Sequence, residues 1–314
     1  MTHYILFDEK RKIMDEIKCE ALITAAEQGS LSTAARILGY TQPGISRMIR
    51  SLEDELGLTI LVRTKKGVAL TPNGEAILPY LKDTLRSARL AHETGESIRG
   101  LLSGTLTIGC YYSVSSMILP PILKKFGSDY PYVRIILKEG TNRELAAALE
   151  ERTIDFSLAA PPPAFLSCDH IPIVDDELMV WLPPDHPMAN ASSFPIEELA
   201  SFPFIITQPG QDTDIDRLLE DYHIQPDIHL AAKDAYSTYR MVEAGLGISF
   251  NQSLFARGWK GNVVTLPFDP PQYIHLGISI PSLKEASPAA RKFIQYVKES
   301  MKNREPSKGE IQGK

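Results

Sequence analysis

The chain has 314 residues, 43% of them hydrophobic, with 33 Lys+Arg against 39 Asp+Glu and a formal charge of −6 at pH 7. At ~100–200 residues per domain that length suits two or three domains with sizeable cores. No apolar run reaches the ~18 residues a transmembrane helix needs, and the start MTHYILFDEKRKI holds too short an apolar stretch for a signal peptide, so no membrane partner and a cytoplasmic location are expected. The acidity is uneven: up to Gly100 there are 14 basic and 13 acidic residues, and beyond it 19 and 26. An acidic body resists collapsing onto nucleic acid and leaves such binding to a local basic patch.

That patch lies in SLSTAARILGYTQPGISRMIRSLEDELGLTILVRTKKGVALTPNG, residues 30–74. Ala34 and Ala35 offer a small face for close helix approach, Gly39 can take the left-handed turn that ends the first helix, and Thr41 with Pro43 can start the second. At ~100° per residue Ile45, Ile49, Leu52 and Leu56 form one buried stripe, and Ser46, Arg47 and Arg50 face away from it. An exposed basic helix start of this kind can enter the major groove, where arginine pairs with guanine and glutamine with adenine. Leu61 to Thr64 and Val68 to Thr71 are strand-like around Lys65, Lys66 and Gly67, the pattern of a two-stranded wing whose tip offers cations to phosphate. Thr71 can cap a further helix beginning with Pro72.

The run AEQGSLSTAARILGYTQPGISRMIRSLEDELGLTILVRTKKGVALTPNGE, within residues 17–75, resembles the winged helix-turn-helix of the LysR-type transcriptional regulators. Val62 stands where the family usually has Phe, an apolar exchange that leaves the fold expectation intact. The resemblance implies contacts to double-stranded promoter DNA from Ser32 and Thr33, from Thr41, Gln42, Pro43, Ser46, Arg47 and Arg50, and from Arg63 and Lys65 toward the wing. Residues 1–13 precede the point, near Met14, where the family pattern begins, and read as a frayed extension or a misassigned start.

From Pro72 to about Gly100 the pattern is a long helix with Ile77, Leu81, Leu85, Ala88, Ala91 and Ile98 near one face. Packing on its own chain competes with antiparallel pairing to a second subunit, which is favoured here and gives a homodimer or homotetramer. Pro79 and Gly95 are awkward inside a helix, and GLLSG at 100–104 reads as a hinge.

Beyond it, short apolar runs alternate with helical patterns, as a parallel α/β sheet requires. TLTIGC, VRIILK and DFSLAA read as strands with helices between them. HIPIV, ELMVWL, PFIIT, DIHLAA, GISF, VVTL and HLGISI continue the set before a closing helix AARKFIQYVKESM. The order resembles the effector-binding half of LysR-type regulators, a two-lobed fold shared with periplasmic binding proteins. IGCYYSVSSMILPPIL, LPPDHP and EAGLGI are among the matching points. The expected organisation is a DNA-binding domain at 14–72, a linker helix at 73–100 and an effector domain at 104–302. Lobe I would take 104–161 and 267–302, and lobe II 162–266. The polar tail 303–314 reads as disordered.

In open α/β sheets ligands sit at the carboxyl ends of strands beside helix N-termini. Ser113, Ser115 and Ser116 occupy such a place after TLTIGC, with capping as the alternative for the latter two. Thr141 and Asn142 start the next helix, Thr207 and Gln208 follow PFIIT in the facing lobe, with Thr207 able to donate across the gap, and Phe250 offers an apolar wall or core packing. An effector with an anionic group and an apolar body is expected.

Catalysis finds little support. Asp175, Asp176 and Glu177 crowd together on a strand approach, where solvated or lobe-linking carboxylates are more plausible than an acid/base pair. The seven histidines include no i,i+4 pair. Gly245 lies in no dinucleotide loop, there is no GK[ST] phosphate loop, and no Ser sits in G-x-S-x-G. Cys19, Cys110 and Cys168 are far apart and read as structural. The expected function is a sequence-specific regulator without cofactor, metal or enzyme activity, its partners being promoter DNA, a small effector and, if it activates, RNA polymerase.

Overall fold

The computed structural model describes residues 15–302, which form two compact units, one up to Ile98 and one from Arg99 onward. The expectations for residues 1–13 and for the tail lie outside the described residues.

The first unit begins with α1 (Glu16–Gln28), whose start is capped by the Asp15 carboxylate accepting from the Ile17 amide at 3.0 Å. Ser30 caps α2 (Leu31–Leu38) and Gly39 closes it at φ 73, the left-handed conformation for which glycine is suited. Thr41 caps α3 (Gln42–Leu56) by accepting from the Gly44 amide, with Pro43 in the first turn. The core joins Cys19 and Leu22 of α1 to Ala34, Ala35, Ile45, Ile49 and Leu52, all buried, with Leu56 partly so. Each fully buried Leu or Ile contributes roughly 1.5–3 kcal/mol.

The wing is β1 (Leu61–Thr64) paired antiparallel with β2 (Gly67–Leu70), from Leu61 opposite Leu70 to Thr64 opposite Gly67. One carboxylate oxygen of Glu53 accepts from the Ile60 and Leu61 amides at 2.7 and 3.0 Å, which ties the entry of β1 to α3. Gly67 is more than a tip residue. At φ 137 it lies so close to α1's end that a Cβ would stand 2.0 Å from the Gly29 carbonyl oxygen, and the same carbonyl accepts from the Val68 amide at 2.9 Å.

Thr71 caps α4 (Pro72–Ile98) by accepting from the Gly74 amide at 3.0 Å, and Pro79 sits inside the helix. The expected intersubunit stripe on α4 divides in two. Leu81 is 1% exposed, and with Ile77, Leu78 and Leu85 it packs on the core of its own chain, so the alternative of packing within the chain holds for this half. Ile98, at the other end, is 81% exposed.

The second unit is built on a mixed sheet, where the sequence pattern had suggested a parallel one. Strands β3 (Gly104–Cys110), β4 (Val133–Glu139) and β5 (Phe156–Ala159) are parallel, with β3 between the other two. β12 (Tyr273–Ile280) then runs antiparallel to β5 and to β6 (Asp169–Leu182). The two strands expected at HIPIV and ELMVWL are this single β6, because Asp175 and Asp176 continue the ladder with His275 and Ile274. Past Glu177 it changes neighbours and pairs with β10 (Ser249–Gln252) and β11 (Val264–Asp269). The short β7 (Phe194–Pro195) lies along β11, and β8 (Pro203–Thr207) pairs in parallel with β9 (Asp227–Ala232).

Helices α5 (Leu119–Asp129), α6 (Asn142–Glu150), α7 (Asp214–Asp221), α8 (Ala235–Glu243), α9 (Ser253–Gly258) and α10 (Pro288–Lys302) complete the unit. A π-helical turn, Val114–Ile118, precedes α5, and a 3-10 turn, Ile196–Ser201, precedes β8. Phe126, Phe156 and Phe293 pack edge to face or tilted in one half of the core, and Trp181 meets Tyr239 and Trp259 in a second cluster.

Candidate functional site

Two surfaces carry chemistry, one in each unit. In the first, α3 buries Ile45, Ile49 and Leu52, and this phase leaves Arg47 and Arg50 exposed about 60° apart on the opposite face. Neither arginine has an acidic partner among the described residues. Thr41 and Pro43 are exposed at the helix start, and Gln42 and Ser46 are half-buried. Of the residues expected to join them, Ser32 is exposed and Thr33 half-buried on α2, the Thr33 amide donating to Ser30 Oγ at 3.2 Å. Arg63 and Lys65 are exposed on the wing. Unpaired cations on a helix and a hairpin suit a polyanion, because phosphate contacts position a protein while arginines reach base edges.

In the second unit a cleft of about 550 Å³ opens where β3, β8 and the starts of α6, α7 and α8 converge. Five of the eight residues expected there line it: Ser113, Thr141, Asn142, Thr207 and Gln208. Ser115 and Ser116 do not. Their hydroxyls turn back on the helix: Ser116 donates to the Tyr112 carbonyl at 2.7 Å, and Ser115 donates to Glu139 at 2.5 Å with the same carbonyl 3.0 Å away. Nor do they cap amides, the alternative expected for them. Phe250 is fully buried between Phe204 and Phe268, so packing accounts for it.

The polar groups of the cleft are mostly committed to one another. Thr141 caps α6 in a reciprocal box with Glu144, and Thr213 does the same for α7 with Asp216. Asn142 Nδ2 donates to the Asp212 carbonyl at 2.7 Å, and its Oδ1 accepts from the Tyr111 hydroxyl. Thr207 and Thr238 share a hydrogen bond of 2.7 Å, and Thr238 also donates to the Asp234 carbonyl at 3.2 Å. Either hydroxyl can donate in that pair, and Thr207 offers the cleft lone pairs when its proton goes to Thr238.

Asp214 went unnoticed in the sequence. It lies at the foot of the cleft, near Tyr111 and Gln252, whose amide nitrogen stands 3.3 Å from Asp214 Oδ2. Burial pushes its carboxyl above the usual range, and pushes the Tyr111 hydroxyl well up. Asp234, by contrast, caps α8 by accepting from the Ser237 amide at 2.8 Å, which holds its carboxyl down. Among the described residues, Glu139, Glu144, Asp214 and Asp234 line the cleft against the single cation Lys233, itself exposed, while Arg217 behind it favours the Asp214 carboxylate. The anionic effector expected from sequence therefore meets a lining of its own sign.

The remaining candidates carry no chemistry. His275 Nδ1 lies 2.7 Å from exposed Asp175, and buried Asp176 accepts from Ser253 Oγ at 2.7 Å, so the carboxylate cluster ties strands and α9 together. No group of His, Cys, Asp and Glu with metal-binding geometry occurs among the described residues, and none of their helices is long and apolar enough to cross a membrane. Burial and the Glu139 charge push the Cys110 thiol up to about 12, far from a reactive thiolate.

Comparison with known proteins places a family on each unit. Residues 18–75 match the model of the bacterial regulatory helix-turn-helix protein, lysR family, and residues 99–302 match the LysR substrate binding domain. The uncharacterized HTH-type transcriptional regulator YnfL of Escherichia coli (strain K12) is 31% identical over 86% of this chain and 93% of its own. YvbU, also an uncharacterized HTH-type transcriptional regulator, from Bacillus subtilis (strain 168), is 28% identical over 89% and 96%. Among solved structures, a full-length cysteine-to-aspartate variant of OxyR from Pseudomonas aeruginosa superposes with a TM-score of 0.73 at 24% identity, covering 93% of this chain and 95% of that one. CbnR complexed with its target DNA gives 0.62 at 20%, covering 91% and 100%. At these identities the two structures speak for the fold. With one family model on the winged unit and another on most of the remainder, the chain belongs to the LysR family, and is a DNA-binding transcriptional regulator with a small-molecule-responsive C-terminal domain.

Proposed function

We propose that α3 lies in the major groove of promoter DNA with Arg47 and Arg50 on base edges, Thr41, Gln42, Pro43 and Ser46 at the groove entrance, and Ser32, Thr33, Arg63 and Lys65 on flanking phosphates. The observation that carries this is the exposure of two unpaired arginines opposite a buried apolar stripe, beside a basic wing. The effector binds in the cleft of the second unit, against Ser113, Thr141, Asn142, Thr207 and Gln208. Ser113 is 1% exposed and its hydroxyl lacks a hydrogen-bond partner among the described residues, which favours a ligand group beside it. A ligand that prefers one closure of the cleft shifts operator affinity by its differential affinity for the two states, with no chemistry required. The regulator acts in the cytoplasm as a homodimer or homotetramer, assembled through the exposed end of α4, and contacts RNA polymerase where it activates.

The test is a gel shift on the DNA upstream of the protein's own gene, with a scrambled competitor, joined to a reporter driven by that promoter. We expect sequence-dependent binding. Ser113→Ala and Thr207→Val should collapse the ratio of reporter output with and without inducer toward one. Equal binding to scrambled DNA, or a wild-type inducer response in both variants, overturns the corresponding half.

A further inference from the structure

We infer that the effector presents a protonated amine, an N–H-donating cation on an apolar body, to the acceptors at the foot of the cleft; the inference rests on the cleft being the effector site. It comes from matching donors to acceptors. Asn142 commits Nδ2 to the Asp212 carbonyl, Gln252 directs Nε2 to Asp214, and Thr207 already shares a hydrogen bond with Thr238. What faces the ligand is left rich in lone pairs. Gln252 is 3% exposed and its Oε1 has no partner among the described residues, which is costly unless a donor arrives. The orphaned Ser113 hydroxyl can accept as well.

Charge points the same way. Asp214 has no ion pair among the described residues, because the nearby cation, Arg217, is held by both carboxylate oxygens of Asp212 at 2.7 and 2.8 Å. Burial disfavours the Asp214 carboxylate, and a bound cation would reverse that. A carboxylate ligand would set lone pairs against lone pairs inside an acidic lining. The walls supply the apolar contact: Tyr112 and Phe255 stack with centroids 6.1 Å apart, and half-exposed Tyr236 packs edge-on against Trp259 at 5.3 Å. Aromatic faces beside a carboxylate attract an ammonium and cover a hydrocarbon body. A quaternary ammonium has the charge but no N–H, and would leave Gln252 Oε1 unpaired.

The full-length protein is titrated, by calorimetry and thermal melts, with matched series on two bodies: phenethylamine, its trimethylammonium analogue, phenethyl alcohol and 3-phenylpropionate, and the corresponding hexyl compounds. We expect the primary amines to bind and raise the melting temperature, and the trimethylated forms to bind at least about tenfold more weakly. Asp214→Asn and, independently, Gln252→Leu should weaken amine binding, the former by about ten- to a hundredfold, the range for a charge-assisted hydrogen bond. Failure of the amines to bind, equal binding of the trimethylated forms, or undiminished amine affinity in both variants overturns the inference. If the carboxylates or alcohols bind instead, and Ser113→Ala and Thr207→Val abolish that binding, the cleft assignment stands and the amine class falls. If no compound of any class binds through these residues, both fall.

Discussion

The proposed DNA surface and the proposed effector cleft are built on opposite rules. The first is a set of exposed cations, Arg47, Arg50, Arg63 and Lys65, contributed by a short continuous stretch of chain and supported by a local apolar stripe. The second is a recess of acceptors and carboxylates drawn from positions as far apart as Ser113 and Gln252. Polyanion binding tolerates water, since released counterions drive it, and so needs only cations held in phase on a surface. Recognition of a small molecule needs polar groups dried and aimed, which takes the convergence of several loops. The regulator thus separates a surface whose charge acts at range from a pocket whose hydrogen bonds act at contact.

The largest expected effect tests where the first surface gets its support. Leu81 is buried in its own chain and Ile98 is exposed, although both fall near one face of α4. Leu81→Asp should unfold the winged unit, with a loss of about 3–5 kcal/mol for an unpaired buried charge. Ile98→Asp should leave the melting curve within about 0.5 kcal/mol, as at most surface sites, yet lower the sedimenting mass. Similar melting of the two would return Leu81 to an intersubunit role. A smaller effect sharpens the account of the wing. Gly67→Ala forces a Cβ toward the Gly29 carbonyl at a positive φ, and should cost about 1–3 kcal/mol and weaken DNA binding on every sequence alike. A wild-type melting temperature would show that the wing docks more loosely than its geometry implies.

How legible these regions were follows from the same contrast. Capping residues Thr41 and Thr71, the turn at Gly39 and the stripe of α3 are local signals, and the winged unit is readable from them almost to the residue. In the second unit the strands are legible from apolar runs, but the direction of β12 and the continuity of β6 are not, since Asp175 and Asp176 look like a break until a partner strand is known. Ser113, Thr207 and Gln208 could be placed because they follow strand ends. Asp214 and Gln252 could not: one reads as an ordinary acidic first-turn residue of α7 and the other as the end of β10. Their meaning lies in partners, Tyr111 and each other, that are 103 and 38 residues away.

The most direct test of the central claim, that α3 reads bases while the wing only holds phosphate, is the affinity of Arg47→Ala, Arg50→Ala and Lys65→Ala for the operator and for a scrambled duplex across a salt series. The arginine variants should lose about 1–3 kcal/mol of discrimination between the two DNAs. Lys65→Ala should weaken both alike and flatten the salt slope by about one unit. Undiminished discrimination in both arginine variants would remove α3 from the groove and contradict the account.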